Sequence, residues 1–335
     1  DRDDRARLEC ELLEARGIAE ICSGDYAQGV DSLGSVSGIS NDRNELRQLR
    51  ICALLGELAI RQQDAAKAER YLATGLRILE RKRNEFYTAA FRRLQGCCFL
   101  LRRAYAKADY YLTEAVDTLK AMPAHTGSNL LLALSYSDQG RLRRYQEKYA
   151  KAGSCFKKSI SLLAGGDWSF SVWIYVHYGR TVYALEDHLT AKSLFDEACR
   201  IAEKTGNLLG RTAAESYAAI YAARAADDAA VERHLINASV YFEKSASPLE
   251  TSIFYYSCMI IRLMLDQFQL KGENLGKILP ESAQEYAHLG IKNAKSLPDV
   301  YEVEEMQKVL RSNLRQRDNY YASDLYSKNK WFMTE

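Results

Sequence analysis

The side chains that could move a proton or bind a metal are spaced for neither task. The histidines, His125, His177, His188, His234 and His288, are scattered and have no partner at the spacing of a metal site or a Ser/His/Asp triad. None of the eight cysteines (Cys10, Cys22, Cys52, Cys97, Cys98, Cys155, Cys199, Cys258) forms a Cys-x-x-Cys motif. They fall among apolar residues at helical spacing, which predicts reduced, packed thiols. The segment KGENLGK, Lys271 to Lys277, is shaped like a phosphate loop but is too short and lacks the following Ser or Thr, so it reads as a helix-capping turn. The acidic pairs Asp227-Asp228 and Glu304-Glu305 fit caps or solvated faces. The sequon Asn237-Ala-Ser239 lies inside a predicted helix. No catalytic residue, metal site or cofactor is expected.

Charge is the next source of chemistry. The net charge is only +2, but residues 41–160 hold 23 Lys/Arg against 12 Asp/Glu, and the remainder is acidic by 9. A basic stretch between acidic flanks suits an anionic partner or pairing between segments. No apolar run reaches the ~18 residues of a membrane span. The opening DRDDRARLEC has no apolar stretch of the signal-peptide kind. The expected setting is cytoplasmic, with the nucleus as the alternative, and the absence of an initial Met suggests a piece of a longer protein.

The elements that must position these charges repeat along the chain. Gly17, Gly56, Gly96, Gly140 and Gly179 follow one another at 39, 40, 44 and 39 residues. In each copy a small residue (Gly29, Ala68, Ala108, Ala152, Ala191) comes twelve positions after the Gly. A bulky one (Leu33, Leu72, Leu112, Phe156, Phe195) comes four later, then a small or apolar one (Val36, Gly75, Ala115, Ser159, Ala198). The apolar period is helical, with a polar break in mid-unit at Ser23-Gly24-Asp25, Gln62-Gln63-Asp64, Glu186-Asp187-His188 and Ala226-Asp227-Asp228. Each unit is therefore a helix–turn–helix. The recurrent Gly costs about 1 kcal/mol of helix propensity, so a neighbouring helix must need the space. The loops between pairs include Gly38 to Asp42, Met122 to Asn129, Gly165 to Asp167, Lys204 to Asn207 and Ser245 to Pro248. After Gln267 the phase weakens, and Tyr301–Leu314 with Asn319–Lys328 is expected to form an atypical final pair.

This Gly–Ala–Leu/Phe–Ala phrase resembles the tetratricopeptide-like superfamily over roughly residues 10–270. The units here are about 40 residues long, against 34 in that family, and the Pro often found at the end of its second helix is mostly missing. Longer units of this kind are similar to those of signalling scaffolds and of the sensor domains of bacterial transcription regulators. The resemblance implies an all-α, right-handed α-α superhelix of seven to eight helix pairs. Residues 1–270 would be the repeats, and residues 271–335 atypical C-terminal helices capping the same continuous superhelix.

The resemblance also implies which side chains look into the concave groove: Arg93, Arg141, Arg144, Tyr145, Trp173, Arg180, Tyr183, Arg224 and Tyr255. Arginines beside aromatics have the composition of a binding hot spot, and a guanidinium fork fits carboxylates. The expected function is a non-enzymatic protein-interaction scaffold that holds an extended, acidic partner segment there. The bland alternative is that these arginines pair with Asp and Glu of neighbouring helices while the aromatics are core. A ligand- or peptide-sensing domain of a regulator is the first competing function. A nucleic-acid-binding solenoid is the second, disfavoured because no one-base-per-repeat pattern recurs. Charge reversal of Arg141 together with Arg180 is expected to abolish binding without changing the melting.

Overall fold

The computed structural model describes residues 2–23, 25–39, 45–163, 166–242, 247–267, 270, 272, 274–294 and 301–311. Among these residues there is no strand. Helices α1 (Arg2–Ser23), α2 (Tyr26–Ile39), α3 (Glu45–Arg61), α4 (Ala65–Arg81), α5 (Glu85–Leu101), α6 (Tyr105–Ala121), α7 (Thr126–Tyr145) and α8 (Tyr149–Leu162) come first. They are followed by α9 (Ser171–Ala184), α10 (His188–Thr205), α11 (Leu208–Arg224), α12 (Asp228–Phe242), α13 (Pro248–Asp266), the short α14 (Leu275–Ile278), α15 (Ala283–Asn293) and α16 (Tyr301–Arg311). The chain divides into two compact units, residues 1–143 with 154–166 and residues 144–153 with 167–335. Both are built from consecutive helices packed as hairpins. In the second unit α13 pairs with α15, and α16 then packs on α15 and α13. The expected helix at Asn319–Lys328 lies outside the described residues.

The small/large/small phrase is a packing code. The bulky residue of the second helix sits on the Gly of the first. A Cβ on Gly17 would lie 2.8 Å from Leu33, on Gly96 2.7 Å from Leu112, on Gly140 2.8 Å from Phe156 and on Gly179 2.9 Å from Phe195. Those four large residues are at most 1% exposed. Successive pairs interlock in the same way in the first unit, where the Phe91 ring of α5 lies against Gly75 of α4.

From the second pair to the sixth, the mid-unit break is a left-handed turn made without glycine. Gln63, Arg103, Glu147, Glu186 and Ala226 have φ of 54° to 63°. The N–H that follows reaches back to close the turn: Asp64 to the Ala59 carbonyl at 2.8 Å, Ala104 to Phe99 at 2.9 Å, Asp187 to Val182 and Asp227 to Ala222 at 3.0 Å. The Asp then caps the second helix. Asp64 accepts from the Lys67 N–H at 2.8 Å, Asp187 from Thr190 and Asp227 from Ala230, both at 3.1 Å. The expected loop from Met122 to Asn129 is shorter than anticipated, because Thr126 to Asn129 already belong to α7. A reciprocal cap accounts for this: His125 N–H donates to Ser128 Oγ at 2.9 Å, and Ser128 N–H donates to His125 Nδ1 at 3.2 Å. The described cysteines are free thiols, and Cys10, Cys52, Cys97, Cys98 and Cys258 are buried.

Candidate binding face

The two units divide the expected site residues. In the first, Arg93 of α5 is clamped between carboxylates of the neighbouring first helices. Its Nε donates to Asp138 Oδ2 of α7 at 2.7 Å and its Nη1 to Glu57 Oε2 of α3 at 2.6 Å. Arg61 Nε donates to the other Glu57 oxygen at 3.1 Å, and Arg141 Nη1 to Asp138 Oδ1 at 3.1 Å. Arg93 and Asp138 are both nearly sealed from solvent. Burial would raise the Glu57 carboxyl, but Arg93 and Arg61 outweigh it and hold the pKa at about 2. Arg93 and Arg141 are therefore committed to internal carboxylates, the arrangement of the bland alternative, and serve as a tie between helices.

The second unit is different. Arg144, at the end of α7, and Arg180 of α9 are 7% and 4% exposed. Arg180 Nη2 lies 3.2 Å from Glu302 Oε1 of α16, and the same oxygen accepts from the Tyr217 hydroxyl of α11. The Arg180 guanidinium sits 4.5 Å over the Tyr217 ring, and that of Arg144 sits 5.2 Å over the Tyr145 ring. No carboxylate among the described residues forms an ion pair with Arg144, and its Nε is buried without a hydrogen-bond partner. Burial and the repulsion of Arg180 both press the Arg144 pKa down. Burial also pushes the Tyr217 hydroxyl well above its ordinary value, so it remains a donor. Among the described residues, Glu302 thus pairs with Arg180 and not with the neighbouring buried guanidinium of Arg144.

The remaining expected residues flank this cluster or lie apart from it. Arg224 Nη1 donates to the Tyr183 hydroxyl at 3.2 Å, and its guanidinium lies 5.3 Å from the Tyr183 ring centre. Trp173 is half-buried beside His177, with ring centres 5.8 Å apart. Tyr255 packs among the rings of Phe242, Phe254 and Tyr286 at 5.4, 5.7 and 6.5 Å.

Two features were not visible in the sequence. The first is Glu302 with Tyr217, brought together from positions 85 residues apart. The second is a buried cluster in which Cys199 of α10, Glu215 of α11 and His234 of α12 place possible ligand atoms within 4.8 Å of one another. Glu215 Oε2 is 2.7 Å from His234 Nδ1, and Glu215 Oε1 accepts from Asn237 Nδ2 at 3.2 Å and Arg211 Nε at 3.3 Å. Arg233 Nη2 stands 3.3 Å from His234 Nε2. One tautomer satisfies both ring contacts: Nδ1–H donates to Glu215, and Nε2 accepts from Arg233. A metal on Nδ1 would instead leave an Nε2–H facing an arginine donor, the reverse of the usual acceptor behind a ligating histidine. Burial and Glu215 also push the Cys199 thiol far up, away from the thiolate a metal needs. The donors present suit a carboxylate satisfied by hydrogen bonds, which pins α10, α11 and α12 together.

Comparison with known proteins gives a consistent picture of the architecture. Residues 130–204, which run from α7 to α10, match the tetratricopeptide repeat family. The apo form of RapI superposes with a TM-score of 0.56 at 12% identity, covering 89% of this chain and 99% of that one. The apo form of the quorum sensor NprR from B. thuringiensis gives a TM-score of 0.54 at 13% identity, covering 99% and 92%. No curated protein sequence gives a match. At such identities the likeness is one of fold. In fold, the chain is a tetratricopeptide-like helical repeat protein.

Proposed function

We propose that the chain is a non-enzymatic interaction module, and that its second unit holds an acidic segment of a protein or peptide partner on the face carrying Arg144, Tyr145 and Arg180. The observation that carries this reading is the charge imbalance just described. Burying a charge without a partner costs several kcal/mol. A fold that keeps Arg144 in that state is explained if a ligand carboxylate completes the pair. Tyr183 with Arg224, and Trp173, offer further contact area of the Arg-and-aromatic kind found in binding hot spots.

A second reading, a domain that senses a small ligand or peptide and shifts between two states, also has support. The basic site is enclosed by α16 rather than lying in an open groove, and one similar structure is described as a quorum sensor.

The test is affinity capture with the whole chain, followed by titration of the captured partner's binding segment against wild type and Arg144→Met. Affinity should fall at least tenfold in the variant, the worth of one charge-assisted hydrogen bond. Equal affinity for both proteins sinks the assignment. Charge reversal at Arg141 and Arg180, attractive from the sequence, is unsuitable: both arginines hold internal carboxylates, and reversing them would lower the melting temperature as well.

A further inference from the structure

Helix α16 has the composition expected of the partner. Its sequence, YEVEEMQKVLR, places Glu302, Glu304 and Glu305 in the first turns, with Met306 and Val309 on an apolar edge. That edge is buried. Met306 is 0% and Val309 5% exposed, and the Met306 thioether lies over Gly290 of α15, where a Cβ would come within 2.3 Å of the sulfur. The helix is thus seated by its apolar side on α15 and α13, while its first turn extends Glu302 to Arg180 of α9 and Tyr217 of α11. Glu302 is only 4% exposed, so its carboxylate has given up water for these donors.

The occupancy is incomplete. Glu302 engages Arg180 and Tyr217 but leaves Arg144 without an ion pair among the described residues. A ligand able to present two carboxylates would satisfy both guanidinium groups and so bind the same site better than Glu302 does. Burial also raises the pKa of Glu305, which lies near Glu302 and Glu304, so the first turn of α16 carries its own electrostatic cost.

We infer that α16 is an internal occupant of the binding face: in the free chain Glu302 fills the Arg144–Arg180–Tyr217 site, and an acidic partner segment binds by displacing the first turn of α16. The inference rests on the proposed reading of that site and adds its regulation. By linkage, the apparent affinity for a partner is lowered by the fraction of molecules in which α16 is docked, and anything that undocks α16 raises it.

The test uses the full chain and a fluorescent synthetic peptide of sequence YEVEEMQKVLR as the acidic probe. Binding is followed by polarisation for wild type, Arg144→Met, Glu302→Gln and Glu302→Gln/Arg144→Met, with helicity checked by circular dichroism. The Glu302→Gln chain should bind the peptide at least about tenfold more tightly than wild type, and the added Arg144→Met should reverse the gain. In wild type, saturating peptide should speed hydrogen exchange of the α16 amides while those of α9 and α11 stay protected. This second measurement decides alone if Glu302→Gln fails to fold. Equal affinity for wild type and Glu302→Gln, both lost on Arg144→Met, with α16 still protected, overturns the inference and leaves the carboxylate site standing. Failure of every form to bind the peptide, with unchanged exchange, overturns both.

Discussion

Arg144→Met should make the chain more stable. Arg144 is buried, has an unpartnered Nε, and is repelled by Arg180. Replacing poorly compensated buried charge by an apolar side chain of similar length commonly stabilises by about 1–4 kcal/mol. Against this stands the loss of the stacking of Arg144 on Tyr145, about 0.5–1 kcal/mol. The net expectation is a gain of about 1–3 kcal/mol. Arg180→Met should do the opposite. It removes the guanidinium closest to Glu302 and leaves that buried carboxylate with the Tyr217 hydroxyl, at a cost of about 3 kcal/mol. The assay is urea unfolding followed by tryptophan fluorescence. Trp168 and Trp173 lie in the second unit and the described part of the first holds no tryptophan, so their signal reports the transition of the second unit. A destabilised Arg144→Met with an unchanged urea slope would refute the reasoning, because Arg144 would then have a favourable partner in the free chain.

Three further outcomes are expected. Gly75→Ala should destabilise the first unit by about 1–2 kcal/mol, since the new methyl would fall 2.1 Å from Phe91 Cζ and overpacking outweighs the ~1 kcal/mol gain in helix propensity. In a Phe91→Ala background the sign should reverse, which a double-mutant cycle in urea will show. Acid should weaken the first unit through Glu57. Its pKa is lowered to about 2, so its contribution is full above the unfolded value of about 4.3 and fades as pH falls toward 2; at most it is about 3 kcal/mol. Glu57→Gln should flatten that stretch of the stability–pH curve measured by chemical denaturation. Finally, burial pushes the thiols of Cys52, Cys98 and Cys258 to about 11, 12 and 12. They should react with Ellman's reagent at pH 8 only as the chain unfolds; fast reaction in the native state would contradict the packing described.

The repeat was legible because its code is local. A Gly, a small residue and a bulky one at fixed separations describe how one helix lies on the next, and Gly140 with Phe156 or Gly179 with Phe195 meets that description in space. The turns were legible for the same reason, since Asp64, Asp187 and Asp227 cap helices three residues away. The basic character of the first helices could also be read, but the duty of each arginine could not. Arg93 and Arg144 belong to the same set of candidates, yet one is saturated by Glu57 and Asp138 while the other has no paired carboxylate among the described residues. What separates them is the identity of residues 36 to 45 positions away in one case and the placement of α16 in the other. The Cys199–Glu215–His234 cluster was invisible for a related reason: each residue is unremarkable on its own helix, and only three helices stacked in register bring them together.

The link Glu57–Arg93–Asp138 joins α3, α5 and α7, one helix from each of three successive pairs. A repeat array held only by neighbour contacts can fray one pair at a time from its end. Here the middle guanidinium bridges anions on both sides, so peeling away the pair that contains α3 exposes a charge still held by the pair that contains α7. The cooperative length of the first unit is therefore set at about three pairs. Pulled from its N-terminus, the unit should give way in one rupture spanning those pairs, where a simple nearest-neighbour stack would yield a staircase.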